Sequence, residues 1–128
     1  MDKDQINALS HEIIGAAIEV HRFLGPGLLE NTYRAAMMCE LKLRNINAAS
    51  EVDIPFYYKG IKLDTSYRAD IIVENEIILE LKSTENDNPL FAKQLNTYLR
   101  INNNRLGLVI NFNKERLKDG IIRVVNKL

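Results

Sequence analysis

Two apolar stretches, Tyr67–Val73 and Ile77–Lys82, are separated only by the polar segment Glu74-Asn75-Glu76. Apolar runs of this length joined by so short a link predict an antiparallel β-hairpin. Each run contains a carboxylate, Asp70 in the first and Glu80 in the second. These two carboxylates constrain the fold more than any other feature, because charges inside apolar strands need partners.

The length of the hairpin turn decides whether the two carboxylates lie on the same face of the sheet. If the chain turns symmetrically about Asn75, Asp70 lies directly across from Glu80, where like charges destabilise a strand pair. A divalent cation between them would turn this repulsion into coordination, and Mg²⁺ favours one or two carboxylates with waters and phosphate oxygens. A tighter turn would instead put the two side chains on opposite faces. An edge hairpin whose charges face solvent, with Glu80 paired only with Lys82, is the other alternative.

A third carboxylate interrupts an apolar helix stripe. Tyr33, Met37 and Leu41 recur four residues apart, and Glu30 precedes Tyr33 by three. This spacing places Glu30 on the inward face, where a carboxylate usually persists only with a partner or a metal. Alternatively, Glu30 lies in the first helical turn after Pro26 and complements the helix dipole.

The order of the predicted elements indicates an α/β fold. Gly25-Pro26-Gly27 separates two helices, and Asn88-Pro89 marks the start of a third. A mixed central β-sheet flanked by α-helices, in one domain over residues 1–128, accommodates this order. The expected helices are 5–24, 28–44 and 89–101, and the expected strands are 52–56, 67–73, 77–82, 106–112 and 121–125.

Composition excludes several classes of protein. No apolar run approaches the length of a membrane span, and the N-terminus does not resemble a signal peptide. A single cysteine, Cys39, excludes an internal disulfide and a thiolate metal cage, and we expect it in the core. The simplest interpretation is a cytoplasmic protein that does not span a membrane.

The net charge of zero conceals an asymmetry. Residues 91–128 carry eight basic and two acidic residues, a net +6, so residues 1–90 carry a net −6. Such a division suits an acidic site beside a basic tract, although the two halves could also intermix on the folded surface.

Several segments together resemble the PD-(D/E)XK nuclease superfamily. Asp70 is followed on the next strand by Glu80-Leu81-Lys82, the Asp…Glu-x-Lys signature. The chain is most similar to the bacterial GxxExxY family, whose motif stands here as Gly27-Leu28-Leu29-Glu30-Asn31-Thr32-Tyr33. The segment from Gln94 to Leu99 and the run Gly107–Phe112 extend the resemblance over nearly the whole chain.

The resemblance implies a restriction-endonuclease-like core and a site for Mg²⁺ or Mn²⁺. Asp70 and Glu80 would be metal ligands, with the Leu81 backbone carbonyl and Glu30 as further ligands. Lys82 would orient or deprotonate the attacking water, or stabilise the transition state. Gln94 would lie beside the active site.

The expected activity is metal-dependent hydrolysis of phosphodiester bonds in DNA or, alternatively, RNA. The same fold could instead serve as a non-catalytic binding or regulatory module. The candidate phosphate contacts are Lys93, Arg100, Arg105 and Lys114. The sequence leaves open whether the protein forms a homodimer or a larger complex.

Overall fold

Three α-helices and five β-strands form the chain, and the computed structural model describes all 128 residues. A short 3₁₀ turn, Leu117–Gly120, precedes the last strand. The elements are α1 (Lys3–Leu24), α2 (Glu30–Leu43), β1 (Ala48–Tyr58), β2 (Ile61–Val73), β3 (Ile77–Lys82), α3 (Pro89–Asn102), β4 (Leu106–Asn111) and β5 (Ile121–Val125).

The strands form one mixed sheet in the order β1-β2-β3-β4-β5. Strands β3 and β4 are parallel, and every other neighbouring pair is antiparallel. A parallel pair needs a long crossover connection, which α3 supplies. The predicted α/β class is confirmed, and the architecture is consistent with a restriction-endonuclease-like core.

The sheet separates two hydrophobic cores because side chains alternate between its faces. Ile71, Leu79 and Leu81 pack with α1 and α2 on one face. On the other face, Ile78 lies in one core with Leu95 and Leu99 of α3. Burial of each such side chain contributes about 1.5–3 kcal/mol, so both helix layers are firmly attached to the sheet.

Glycine allows α3 to approach the sheet closely. A Cβ atom at Gly107 of β4 would lie 2.9 Å from Leu95 Cδ2 of α3. Real Cβ atoms essentially never come this close to a neighbouring atom. The position of α3, and of the side chains it presents beside β3, therefore depends on this small residue.

Some boundaries differ from the sequence-based prediction. Helix α2 begins at Glu30 instead of Leu28, and β2 begins at Ile61 instead of Tyr67. The first six residues of β2 are exposed, so they lack the buried alternation by which a strand is recognised. Cys39 is exposed, so its predicted core position is wrong. None of the helices combines the length and apolarity needed to cross a membrane.

Candidate active site

The β2–β3 hairpin has the register that the symmetric turn predicts. Val73 pairs with Ile77, and Ile71 pairs with Leu79. The next pair in this register would be Asp70 with Glu80, and regular pairing stops there. The two carboxylates thus lie where β2 and β3 separate.

Strand β2 is also irregular on its other side. Its pairing with β1 skips Asp70 and the opposite residue Glu51, which has a left-handed φ of 54°. Ala69 and Ile71 pack in different cores, so the strict alternation of side chains fails between them. This distortion leaves the Asp70 side chain free to reach towards β3.

The Asp70 side chain takes the role of a backbone hydrogen-bond partner for β3 where the strand pairing is missing. Its Oδ2 accepts a 2.7 Å hydrogen bond from the Leu81 backbone N–H. The next carbonyl, that of Lys82, accepts from Phe112 on the β4 side. Because backbone groups alternate along a strand, the Leu81 N–H and carbonyl both point to the side of Asp70.

Glu80 is a buried carboxylate with an unused oxygen. Its exposed fraction is 9%, and Oε1 has no hydrogen-bond partner. Burial raises the pKa of Glu80 to about 7, although the charge of Lys82 opposes this shift. Lys82 Nζ lies 4.0 Å from Glu80 Oε2 and 4.5 Å from the centre of the Phe91 ring.

Asp70 is also a partly buried carboxylate, and nearby cations reduce the effect of burial on its pKa. Burial raises the pKa of Asp70, while the Leu81 N–H, Lys82 and Arg34 lower it. Arg34 extends from α2 and forms a 2.6 Å salt bridge with Glu51, the residue opposite Asp70. Helix α2 thus delivers positive charge to the acidic end of the sheet.

Glu30 is exposed to solvent, so the inward position predicted for it is wrong. It is the first residue of α2, and the helix packs on the sheet only from Tyr33 onwards. Glu30 nevertheless lies near the same end of the sheet, because it lines one depression with Ser83, the residue after Lys82. Its charge also raises the pKa of Glu80. No group of three or more His, Cys, Asp or Glu side chains is arranged to hold a metal ion.

The tyrosine of the Gly27–Tyr33 motif has a structural role. Its hydroxyl donates to the Gly25 carbonyl and accepts from the Leu28 N–H, and its ring stacks on Phe112 at 4.3 Å. Gly27 has a φ of 93°, a conformation that side chains rarely tolerate. The motif therefore fixes the connection that leads into Glu30.

Gln94 is exposed, and its side chain makes no hydrogen bond within the chain. Helical spacing puts it on the side of α3 that also carries Phe91 and Tyr98, three residues before it and four after it. The Phe91 ring lies under the Lys82 ammonium, and the charge of Glu80 raises the pKa of Tyr98. Gln94 therefore shares a side of α3 with two residues that lie near Lys82 and Glu80.

The four basic candidates lie in three different places. Lys93 and Arg100 are exposed on α3, away from its buried Leu95 and Leu99. Arg105 precedes β4, at the opposite end of the sheet from Lys82, and donates to the Met1 carbonyl. Lys114 is engaged in a 2.8 Å salt bridge with Asp87. The basic tract is therefore not one continuous surface.

Asn111 is a residue of the site region that the sequence analysis missed. It is buried at the end of β4, opposite Lys82. Its amide donates to the Thr84 carbonyl and to Asp87 Oδ1, both at 3.1 Å, and its oxygen accepts from the Thr84 N–H. These bonds hold the loop that follows Lys82, and a polar residue ending the apolar β4 run was the available signal.

Two tyrosines near Glu80 were also missed. Tyr98 of α3 stacks on Tyr67 of β2 with ring centroids 3.4 Å apart. Burial and the charge of Glu80 both raise the pKa of Tyr98. The Tyr67 hydroxyl is buried without a partner. Aromatic side chains thus form the wall of the site on the α3 face.

The donor set fits a hard divalent cation. Glu80 Oε1 is free, Asp70 uses only Oδ2 in a protein hydrogen bond, and the Leu81 carbonyl points to the same side. Mg²⁺ is usually held by one or two carboxylates and otherwise by water and phosphate oxygens, so no third carboxylate is needed. The residues present therefore suit magnesium or manganese better than a softer metal.

The fold and site together define an α/β protein with two carboxylates and a lysine at the point where the regular pairing of the central hairpin ends. The sequence matches the family model of the PD-(D/E)XK nuclease superfamily over residues 7–124. The chain belongs to this superfamily.

A solved structure described as "Crystal structure of SSO0001" shares the fold. The TM-score is 0.58 at 22% sequence identity, and the match covers 77% of this chain. It covers 50% of that protein, so the chain spans about half the length of the structure it matches. A comparison with curated proteins gave no significant match.

Proposed function

We propose that this protein is a divalent-metal-dependent nuclease that hydrolyses phosphodiester bonds of DNA or RNA. The observation that carries the proposal is the buried Glu80 oxygen without a partner, at the position that the hairpin register puts opposite Asp70. A buried carboxylate oxygen without a hydrogen bond is costly and is typical of a functional site. Membership of a nuclease superfamily gives this pair its chemical context.

Asp70, Glu80 and the Leu81 carbonyl are the proposed ligands of Mg²⁺ or Mn²⁺. A bound divalent cation would supply charge neutralisation at a phosphoryl oxygen and favour a hydroxide nucleophile. Asp70 is positioned for this role by its hydrogen bond from Leu81. Glu30 lies too near the solvent to complete a cluster of three carboxylates, so we propose that it acts through an intervening water.

Lys82 is the proposed catalytic cation. Its ammonium lies 4.0 Å from Glu80 and rests on the Phe91 ring, which limits its conformations. From this position it can orient a water for attack or stabilise charge that develops on the phosphate. Gln94 is the proposed polar contact at the margin of the site.

The finer family assignment rests on the residues of the Gly27–Tyr33 motif. Gly27 and Tyr33 fix the α1–α2 connection, and this connection presents Glu30 to the site. We propose that the chain belongs to the GxxExxY branch of the superfamily.

We propose that Lys93 and Arg100 contact phosphates outside the site. Both are exposed on the helix that carries Gln94. Neither forms a salt bridge, whereas Lys114 is neutralised by Asp87 and Arg105 is distant along the sheet. Loss of each true phosphate contact reduces the salt dependence of binding by about one unit in a log–log plot.

A cleavage panel tests the nuclease function. Duplex, single-stranded and branched DNA and RNA are incubated with Mg²⁺, Mn²⁺ or EDTA. We expect cleavage that requires metal, disappears in Glu80→Gln and persists in Glu85→Gln, a matched change in the exposed loop beside the site. Equal cleavage by wild type and Glu80→Gln would contradict the assignment, and binding without cleavage would favour a non-catalytic module.

A further inference from the structure

The β1–β2 hairpin extends well beyond the central sheet. Strand β3 pairs only with residues 71–73 of β2, so β1 is the only strand that pairs with the earlier residues of β2. The hairpin closes at Lys59-Gly60, both with positive φ, which is the tight turn that suits twisted strands. We call residues 55–66 the arm.

The arm exposes large apolar and aromatic side chains near its tip. Tyr57 and Tyr58 are each 60% exposed, and Ile61 is 67% exposed. A two-stranded ribbon cannot bury such side chains by itself. The tip, residues 57–62, also contains Lys59 and Lys62 and no acidic residue, so it is apolar and positively charged.

The two exposed tyrosines lie on different faces of the arm. Tyr57 follows Asp53 and Pro55 in the alternation of β1, on the face turned away from α3. The β1–β2 register shifts between Pro55 and Tyr57, and the extra residues at this irregularity belong to β2. Ile54 and Phe56 of β1 both lie on the side of α3, so the alternation continued along β1 places Tyr58 on that side as well.

The face with Tyr58 is continuous with the active site. Phe56 lies 6.4 Å from Tyr98, measured between ring centroids, and Tyr98 stacks on Tyr67. Tyr98 packs against the core that contains Ile78 of β3, and the alternation of β3 puts Glu80 on this same face of the sheet. An aromatic track therefore leads from the tip of the arm to the carboxylates.

A lysine accompanies the aromatic rings at each end of this track. Lys59 Nζ lies 5.4 Å from the centre of the Tyr58 ring, and Lys82 Nζ lies over the Phe91 ring. Alternating cations and aromatic faces are what a nucleic-acid strand with unpaired bases recognises, because phosphates meet lysines while bases stack.

We propose that the aromatic face of the arm binds single-stranded nucleic acid and guides it towards Glu80. Bases stack on Tyr58 and Phe56, and Lys59 contacts the backbone. A duplex hides the faces of its bases within its own stack, so it cannot use these rings in the same way. This inference rests on the proposed nuclease function and adds the substrate class.

Fluorescence anisotropy with a labelled oligodeoxythymidylate in EDTA tests the inference without cleavage. We expect Tyr58→Ala to weaken binding about tenfold, which is within the range of one lost base stack. Tyr57→Ala, with equal exposure on the other face, is the matched control and should bind as wild type. Circular dichroism verifies that both variants fold. Unchanged binding by Tyr58→Ala, equal losses in both variants, or tighter binding of a duplex of the same sequence would overturn the inference.

Cleavage of the same oligonucleotide in Mg²⁺ separates this inference from the nuclease assignment. If wild type cleaves and Tyr58→Ala binds normally, the arm is not the binding face and the nuclease function stands. If Tyr58→Ala weakens binding but no nucleic acid is ever cleaved, the nuclease function fails and the binding face stands.

Discussion

The Asp70 carboxylate accepts a 2.7 Å hydrogen bond from the backbone N–H of Leu81. A side chain thereby replaces the backbone partner that β3 loses where β2 diverges. The same bond holds the Asp70 carboxylate against Leu81, the residue after Glu80, so the feature that completes the fold also positions a candidate metal ligand.

Two variants at Asp70 separate these structural and chemical effects. Asp70→Asn keeps an oxygen that can accept from Leu81, so we expect stability in EDTA close to wild type. Asp70→Ala leaves the Leu81 N–H without a partner and should lower the free energy of unfolding by about 1–3 kcal/mol. Urea denaturation measures both, and equal stability of the two variants would show that the hydrogen bond contributes little.

The pH dependence of stability reports on Glu80. Its pKa rises from an ordinary 4.5 to about 7 in the folded protein, mainly through burial. A raised pKa means that folding favours the protonated form, so this stabilisation is complete below the ordinary pKa and is lost as pH rises through the folded value. The shift corresponds to about 3 kcal/mol.

We therefore expect the metal-free protein to be less stable at about pH 8 than at about pH 5. Asp70, whose pKa is also raised, acts in the same direction. Urea denaturation in EDTA across this range gives the slope, and Glu80→Gln should flatten it. A wild-type protein that gains stability as pH rises would refute the buried position of the Glu80 carboxyl.

The hairpin register was predictable because Asn75 lies at the centre of two apolar runs, but the end of regular pairing just before Asp70 and Glu80 was not. The exposure of Glu30 was not predictable from the sequence. Helical periodicity shows which way a side chain points, but it does not show whether the sheet extends far enough to cover the first turn of α2. Asn111 escaped prediction because its partners, Thr84 and Asp87, are distant in sequence. The arm escaped because its exposed residues show no alternation.

Asn111 should be important for both stability and the site. Asn111→Ala removes a buried amide and leaves the Thr84 backbone groups without this partner, so we expect a loss of about 2–3 kcal/mol. Asn113, whose side chain makes no hydrogen bond, provides the control variant Asn113→Ala. Thermal denaturation compares the two, and equal melting temperatures would mean that the loop after Lys82 is held by other contacts.

Tyr33 tests whether the Gly27–Tyr33 motif is structural. Tyr33→Phe retains the stack on Phe112 but removes the hydroxyl that bridges Gly25 and Leu28, so we expect a loss of about 1–2 kcal/mol. Chemical denaturation is the measurement, with Tyr57→Phe as an exposed control. Full stability with complete loss of cleavage would instead assign the hydroxyl a direct catalytic role.

Titration calorimetry with Mn²⁺ tests the central claim, a metal centre built on Asp70 and Glu80. At about pH 8, where Glu80 is ionised, wild type should bind a single ion per chain, and the complex should melt higher than the free protein. Asp70→Asn and Glu80→Gln should each abolish this binding, while the exposed control Asp53→Asn should retain it. Equal Mn²⁺ affinity in wild type and in the Asp70 and Glu80 variants would contradict the account.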